Sequence, residues 1–216
     1  MTHLDLASEP AANCGLCARL VKHRAVCVAS EPEWHNGAVR SFGEPEAAKL
    51  LIVGLAPGMR GANRTGRSFT GDQSGALLYS TLLKFDFAQG SYDGHANDGL
   101  RLVDTVVTNA VRCVPPGNKP SSIELQTCRK YLIALLNSAK QLRAIVALGR
   151  VAHDATLSAL DKRKAAHRFA HGARHDIGDD LVLFDSYHCS RYNINTRRLT
   201  PEMFHDVFRC VKDELR

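Results

Sequence analysis

Residues 49–75 read KLLIVGLAPGMRGANRTGRSFTGDQSG, and the opening of this stretch decides the fold. Lys49 to Leu55 is a short apolar run that stops at Ala-Pro-Gly, the pattern of a strand entering a turn. Three similar runs follow: Leu102 to Val111, Arg143 to Leu148 before Gly149, and Leu181 to Tyr187. Between and after them, Gly75–Phe85, Ser121–Ala139, Val151–Leu160 and Pro201–Leu215 repeat apolar residues at intervals of three and four, as helices do. Ser121 is placed to cap the second helix, with Glu124 completing a capping box. Parallel neighbours need a crossover, and crossover helices cover both sheet faces. The expectation is therefore an α/β fold: a single three-layer α/β/α domain over residues 1–216, with a central, mainly parallel, four-stranded sheet. Such sheets bind ligands beyond the carboxyl ends of their strands. That points to three loops: Gly54–Asp72, Arg112–Pro120 and His188–Thr200.

Composition narrows the function. The chain of 216 residues carries a formal net charge of +6, 44% hydrophobic and 23% charged residues, as a globular protein does. It has no apolar run near the roughly 20 residues of a membrane helix. The start, MTHLDLASEP, resembles neither a secretory signal nor a transit peptide, so a cytoplasmic location is expected. The basic balance favours a polyanionic partner, nucleic acid first, because Lys and Arg that neutralise phosphates release counterions.

Seven cysteines without an export signal suggest metal or redox chemistry rather than disulfides. Cys14 and Cys17 form C-x2-C, and Cys113 and Cys128 form a second pair across a strand-to-helix crossover. Four thiolates suit zinc or a [4Fe–4S] cluster equally by ligand type. Cys27, Cys189 and Cys210 read as packing residues, with Cys27 an alternative ligand.

The glycine-rich loop after the first strand can wrap a ligand and aim N–H groups at it. It lacks both the P-loop and the G-x-G-x-x-G spacing. Arg64 and Arg67 suit phosphates or solvent alike. Asp72, just before a helix, suits an N-cap or a catalytic carboxylate.

Taken with NAVRCVPPGNKP at 109–120 and YHCSRYNINTRRLT at 187–200, this loop resembles the uracil-DNA glycosylase superfamily, and family 5 within it. The cysteine framework resembles that of families 4 and 5, while GLAPG is the family-5 form: family 4 has an acidic residue where Leu55 stands, and the classical enzymes a glutamine. The resemblance implies a base-excision repair enzyme acting on double-stranded DNA that contains uracil or deaminated bases. It implies a [4Fe–4S] cluster on Cys14, Cys17, Cys113 and Cys128, which docks the N-terminal pair to the core. It assigns Asp72 to the attacking water or the sugar charge, Asn118 to base removal and His188 to the departing base. It places Gly54, Leu55, Ala56, Pro57, Gly58, Asn63, Arg64, Arg67, Phe69, Ser190, Arg191 and Asn193 against substrate or DNA. A monomer acting at the bacterial nucleoid is expected. The chain departs from the family at Cys189, Tyr192 and Ile194, and at Arg197, where a glycine is common.

These residue types suit the chemistry. Breaking an N-glycosidic bond leaves positive charge on the sugar and negative charge on the base, which call for an anion and a hydrogen-bond donor. The base must first leave the helix; Arg191 or Tyr192 is a candidate to fill the gap and Phe69 to stack on the base. Leu55 and Ala56 offer no side-chain hydrogen bond, so selection should fall on ease of extrusion, with uracil opposite guanine preferred to uracil opposite adenine and hypoxanthine slower. A non-catalytic iron–sulfur damage sensor and a zinc-bound nucleotide-binding module are the alternatives.

Overall fold

The computed structural model describes residues 9–216. In chain order its elements are α1 (Ala18–Ser30), β1 (Leu50–Gly54), α2 (Ala62–Thr65), α3 (Gln73–Lys84), β2 (Ala88–Gln89), β3 (Arg101–Leu102) and β4 (Thr105–Asn109). These are followed by α4 (Ser122–Ser138), β5 (Ala144–Leu148), α5 (Arg150–Ala159), β6 (Arg174–Asp176), β7 (Val182–Ser186), α6 (Arg191–Asn195) and α7 (Pro201–Glu214).

The main sheet has the order β4-β1-β5-β7-β6. Its first four strands are parallel, and every residue of them is buried, because helices cover both faces. Side chains alternate between the faces. Leu50 and Ile52 pack with Leu78 and Leu82 of α3 and Phe204 and Phe208 of α7. Leu51 and Val53 pack with Leu132 and Leu135 of α4 and Ala152 and Leu157 of α5.

The expected four-stranded sheet is in fact five-stranded. The extra strand, β6, pairs antiparallel to β7 at the edge, and its residues Arg-His-Asp carry no apolar signal because only one flank is packed. The expected strand from Leu102 is also divided: Asp104 has φ +45, which ends the β2–β3 ladder before β4 begins.

The order of the strands fixes where a ligand fits. From β1 the chain crosses to β4 on one side, then to β5 on the other, so the switch point lies between β1 and β5. The capping box opens α4 as expected: Ser121 Oγ accepts from the Glu124 N–H at 3.2 Å, and the Glu124 carboxylate accepts from the Ser121 N–H at 2.7 Å. The same carboxylate pairs with Arg19 at 2.7 Å, fastening α1 to α4. A second tie joins Glu9 to the buried Arg112 guanidinium at 2.8 Å. No helix among the described residues is long and apolar enough to cross a membrane.

Candidate active site

A cavity of about 440 Å³ opens at the switch point. Leu55–Gly58 line it from the end of β1, Asn109 from β4, Leu148–Val151 from the β5–α5 junction, and His188 and Ser190 from beyond β7; Ala62, Phe69, Asp72, Ser74 and Asn118 complete the wall. Asp72, Asn118 and His188, far apart in sequence, thus meet in one chamber.

Asp72 satisfies both of its sequence readings at once. Its Oδ1 accepts from the Gly75 N–H at 3.0 Å and caps α3, while the residue also faces the cavity. Two glycines make room for the free oxygen: a Cβ at Gly61 would lie 2.3 Å from Asp72 Oδ2, and one at Gly58 3.0 Å from it. Gly54 does the same for two other groups, since a Cβ there would come within 2.4 Å of the Phe69 ring and 2.5 Å of Asn109 Oδ1. Gly54 therefore admits the cavity wall rather than forming it. Phe69 holds φ +54, and its ring lies 6.0 Å from that of His188, 26° from parallel. Asn118 sits at φ +57, a conformation asparagine tolerates better than most residues.

Burial holds His188 below the ordinary histidine value against the opposing pull of Asp72. A neutral imidazole is the result, able to donate one hydrogen bond at neutral pH. Its neighbour Cys189 is buried, with the thiol pushed up by burial and directed at the Ser74 carbonyl at 3.5 Å. Ser190 caps α6, and Asn193 donates to the His188 carbonyl at 2.8 Å, so Asn193 braces the loop from within. Arg191 is exposed and Tyr192 is 71% exposed. Arg197 occupies the left-handed region at φ +57, where a glycine would carry no steric penalty.

Two expected DNA contacts are corrected. The Arg67 side chain is only 6% exposed: it forms a fork on Asp98 at 2.7 and 2.8 Å and lies over the rings of Phe42, Tyr79 and Tyr92. The guanidinium in turn holds the Asp98 carboxyl well below the usual carboxylate range. Asn63 is fully buried and donates to Asn36 Oδ1 at 2.9 Å. Neither reaches a ligand in the cavity or a phosphate outside it. Arg64 is exposed and braced by the carbonyls of Arg60 and Gly71.

Sequence reasoning missed Asn109 and the Leu148–Val151 turn. A signal existed for each: an asparagine ending an otherwise apolar strand, and a glycine between a central strand and a helix.

The four cysteines singled out by spacing border a second, much smaller cavity with Leu20, Val111 and Tyr131. The Cys128 sulfur accepts from the Arg112 N–H at 3.3 Å, and Cys14 lies 3.7 Å from the Tyr131 hydroxyl. Burial, then the neighbouring thiols, push Cys113 up to about 12. Burial likewise raises Cys128, to about 11. Convergent thiols of this kind fit a cationic metal centre. No three of the sulfurs lie within 4.8 Å of one another. By donor type, four thiols suit a zinc or an iron–sulfur centre alike. Cys27 is buried elsewhere against Met59 and Cys210 is exposed on α7, so of the three expected packing cysteines only Cys27 and Cys189 pack.

The family model described as the uracil DNA glycosylase superfamily matches residues 40–212. The chain is 44% identical to a type-5 uracil-DNA glycosylase of Thermus thermophilus over 92% of each protein. It is 40% identical to the type-5 enzyme of Mycobacterium tuberculosis over 92% of this chain and 77% of that one. A type-4 uracil-DNA glycosylase of Pyrobaculum aerophilum is 32% identical over 70% of this chain and 63% of its own length.

Proposed function

The chain belongs to the uracil DNA glycosylase superfamily and is a DNA-repair glycosylase acting on uracil, and from that premise we propose that it works on double-stranded DNA, using Asp72, Asn118 and His188. One observation carries the reading: these three residues line a single cavity at the strand switch point. A base turned out of the duplex enters that cavity, at an unstacking cost of a few kcal/mol. Phe69 packs against it. His188, neutral and desolvated, donates to the oxygen on which negative charge grows as the glycosidic bond breaks. The Asp72 carboxylate faces the sugar, with one oxygen held by Gly75 and the other left to stabilise positive charge or to orient water. Asn118 supplies a further polar contact. Arg64 and Arg191 meet phosphates outside, and Tyr192 fills the vacated stack.

The reading includes a [4Fe–4S] cluster on Cys14, Cys17, Cys113 and Cys128. When bound, such a cluster supplies a rigid cross-link between the N-terminal segment and the loop that runs from Cys113 to Asn118; excision needs no electron transfer. The chain acts as one unit, as a monomer, in the cytoplasm at the nucleoid.

Leu55 and Ala56 present no hydrogen-bonding side chain to the base, so selection follows ease of extrusion. The test is single-turnover excision from duplexes that differ only in the base opposite uracil, with hypoxanthine in parallel and alkaline cleavage as the readout. Faster release opposite guanine than adenine, with slower release of hypoxanthine, is expected. Equal rates opposite both and no action on hypoxanthine would refute the breadth of substrate. No abasic product from any duplex would leave the sensor reading in its place.

A further inference from the structure

His153 lies in the first turn of α5, fully buried, with both ring nitrogens engaged. Nε2 is 2.9 Å from the His167 carbonyl and Nδ1 is 2.7 Å from Asp185 Oδ1. A carbonyl oxygen only accepts, so Nε2 carries a hydrogen. Nδ1 then faces a carboxylate oxygen, and two acceptors do not approach so closely unless a proton lies between them. The other Asp185 oxygen accepts from His175 Nε2 at 2.9 Å and from the Ala170 N–H at 3.3 Å. Among the described residues no Lys or Arg pairs with this buried carboxylate. One tautomer of neutral His175 suffices for its bond, whereas His153 needs both of its protons. Distances of 2.7 and 2.9 Å are hydrogen-bond lengths; ligand atoms around a tetrahedral zinc would stand about 3.3 Å apart. The gap therefore suits a proton, not a metal ion.

This network ties together two walls of the cavity. The backbone N–H of His153 donates to the Gly149 carbonyl at 3.1 Å, the ordinary first-turn bond of α5, which seats the residue beside the turn that lines the chamber. Asp185 lies on β7, three residues before His188, which follows just after the strand ends. We propose that His153 is a positioning residue for excision: through the proton it shares with Asp185, it sets the Leu148–Val151 wall against the end of β7 that delivers His188. The inference rests on the excision reading above.

A pH dependence follows. The titratable groups facing His153 are Asp185 on β7, His175 on β6, His167 in the segment between α5 and β6, and Asp154 on α5 itself. Burial lowers the affinity of the ring for its proton, but the Asp185 hydrogen bond and charge and the His167 carbonyl outweigh it, leaving the value above the ordinary 6.5. A folded value above the unfolded one means that the contact is complete below 6.5 and is lost as pH rises through the raised value.

The test uses cluster-loaded protein and compares wild type with His153→Gln. Single-turnover excision, affinity for an abasic duplex and melting temperature are followed from about pH 6 to about pH 9, spanning the expected transition. Wild-type excision should fall along an alkaline limb that the variant lacks. At the acidic end the variant should be slower by about tenfold per folded molecule. Its affinity for abasic duplex should change by less than about twofold, since no DNA contact is removed. A variant with the wild-type rate and the same alkaline limb overturns the proposal, as does a lower melting temperature with no change in rate. Should the variant fail to fold, nitrogen-edited NMR of the wild-type imidazoles decides. Both His153 nitrogens should carry protons at neutral pH; a bare Nδ1, or stoichiometric zinc beside the iron, overturns the assignment. An inactive wild type with His153 doubly protonated would sink the excision reading alone. An active one with bare Nδ1 would sink this inference alone.

Discussion

Asp72 holds one N–H with one oxygen and faces the chamber with the other, which allows its two duties to be separated by substitution. Asp72→Asn keeps an oxygen for the Gly75 N–H but loses the charge, so single-turnover excision should drop on the order of a hundredfold with the melting temperature nearly unchanged. Asp72→Ala should add a loss of about 1 kcal/mol in unfolding free energy from the missing cap. A melting difference in the first variant as large as in the second would show that the charge, not the cap, stabilises the fold. His188 predicts an acid limb: its value lies below 6.5, so excision should hold at neutral pH and decline only as the ring gains a proton below that point. His188→Gln, which donates without titrating, should abolish that limb. Arg64 and Arg67 look alike in sequence, three residues apart in one loop, yet only one is available to DNA. Nothing local to Arg67 reveals its partner, because Asp98 lies 31 positions on in a stretch without regular pattern. Arg67→Ala should lower stability by about 3–5 kcal/mol by leaving Asp98 buried and unpaired. Arg64→Ala should instead reduce the salt slope of DNA binding by about 0.9 per lost phosphate contact.

The elements that announced themselves in the sequence are those buried on both faces. β1, β4, β5 and β7 are apolar runs because helices cover them, and the runs stop where the chain leaves the sheet. The edge strand β6 and the β2–β3 pair were illegible for the opposite reason: they are two or three residues long and partly exposed, so no period has room to appear. Three of the four site loops could be read from turn residues and from the family motifs, whereas the β5–α5 turn, with a single glycine, gave too little to stand out. Within the first loop, Gly61 predicts a clean separation of fold from activity. A Cβ at Gly61 would lie 2.3 Å from Asp72 Oδ2, so the methyl added by Gly61→Ala displaces that carboxylate. Excision should fall by about a hundredfold from a misplacement near 1 Å, with the circular dichroism spectrum unchanged. An unimpaired Gly61→Ala enzyme would mean that Asp72 Oδ2 is not the oxygen the reaction uses.

In the whole molecule, the N-terminal segment is tied to the core by the grouped thiols and by two arginine–carboxylate pairs, Arg19 with Glu124 and Glu9 with Arg112. Cys113 is only five residues from Asn118, so whatever anchors the first orders the second. Stripping the proposed cluster with an oxidant and chelator should therefore abolish excision while the main sheet stays folded, seen as lost activity with retained far-ultraviolet dichroism. Simultaneous loss of both would mean that the cluster holds up the entire core. The division of labour between sheet and rim carries a consequence for descent. Residues that choose the base sit on turns beyond the strands, and residues that keep the chain folded sit within them. Substrate range is thus free to drift by turn replacement under an unchanged scaffold. The division has exceptions, since Asn109 lines the cavity from within β4 and Arg67 holds the fold from a turn; Gly54 and Asp72 serve fold and cavity together, so a lineage that changes its lesion would do so around them.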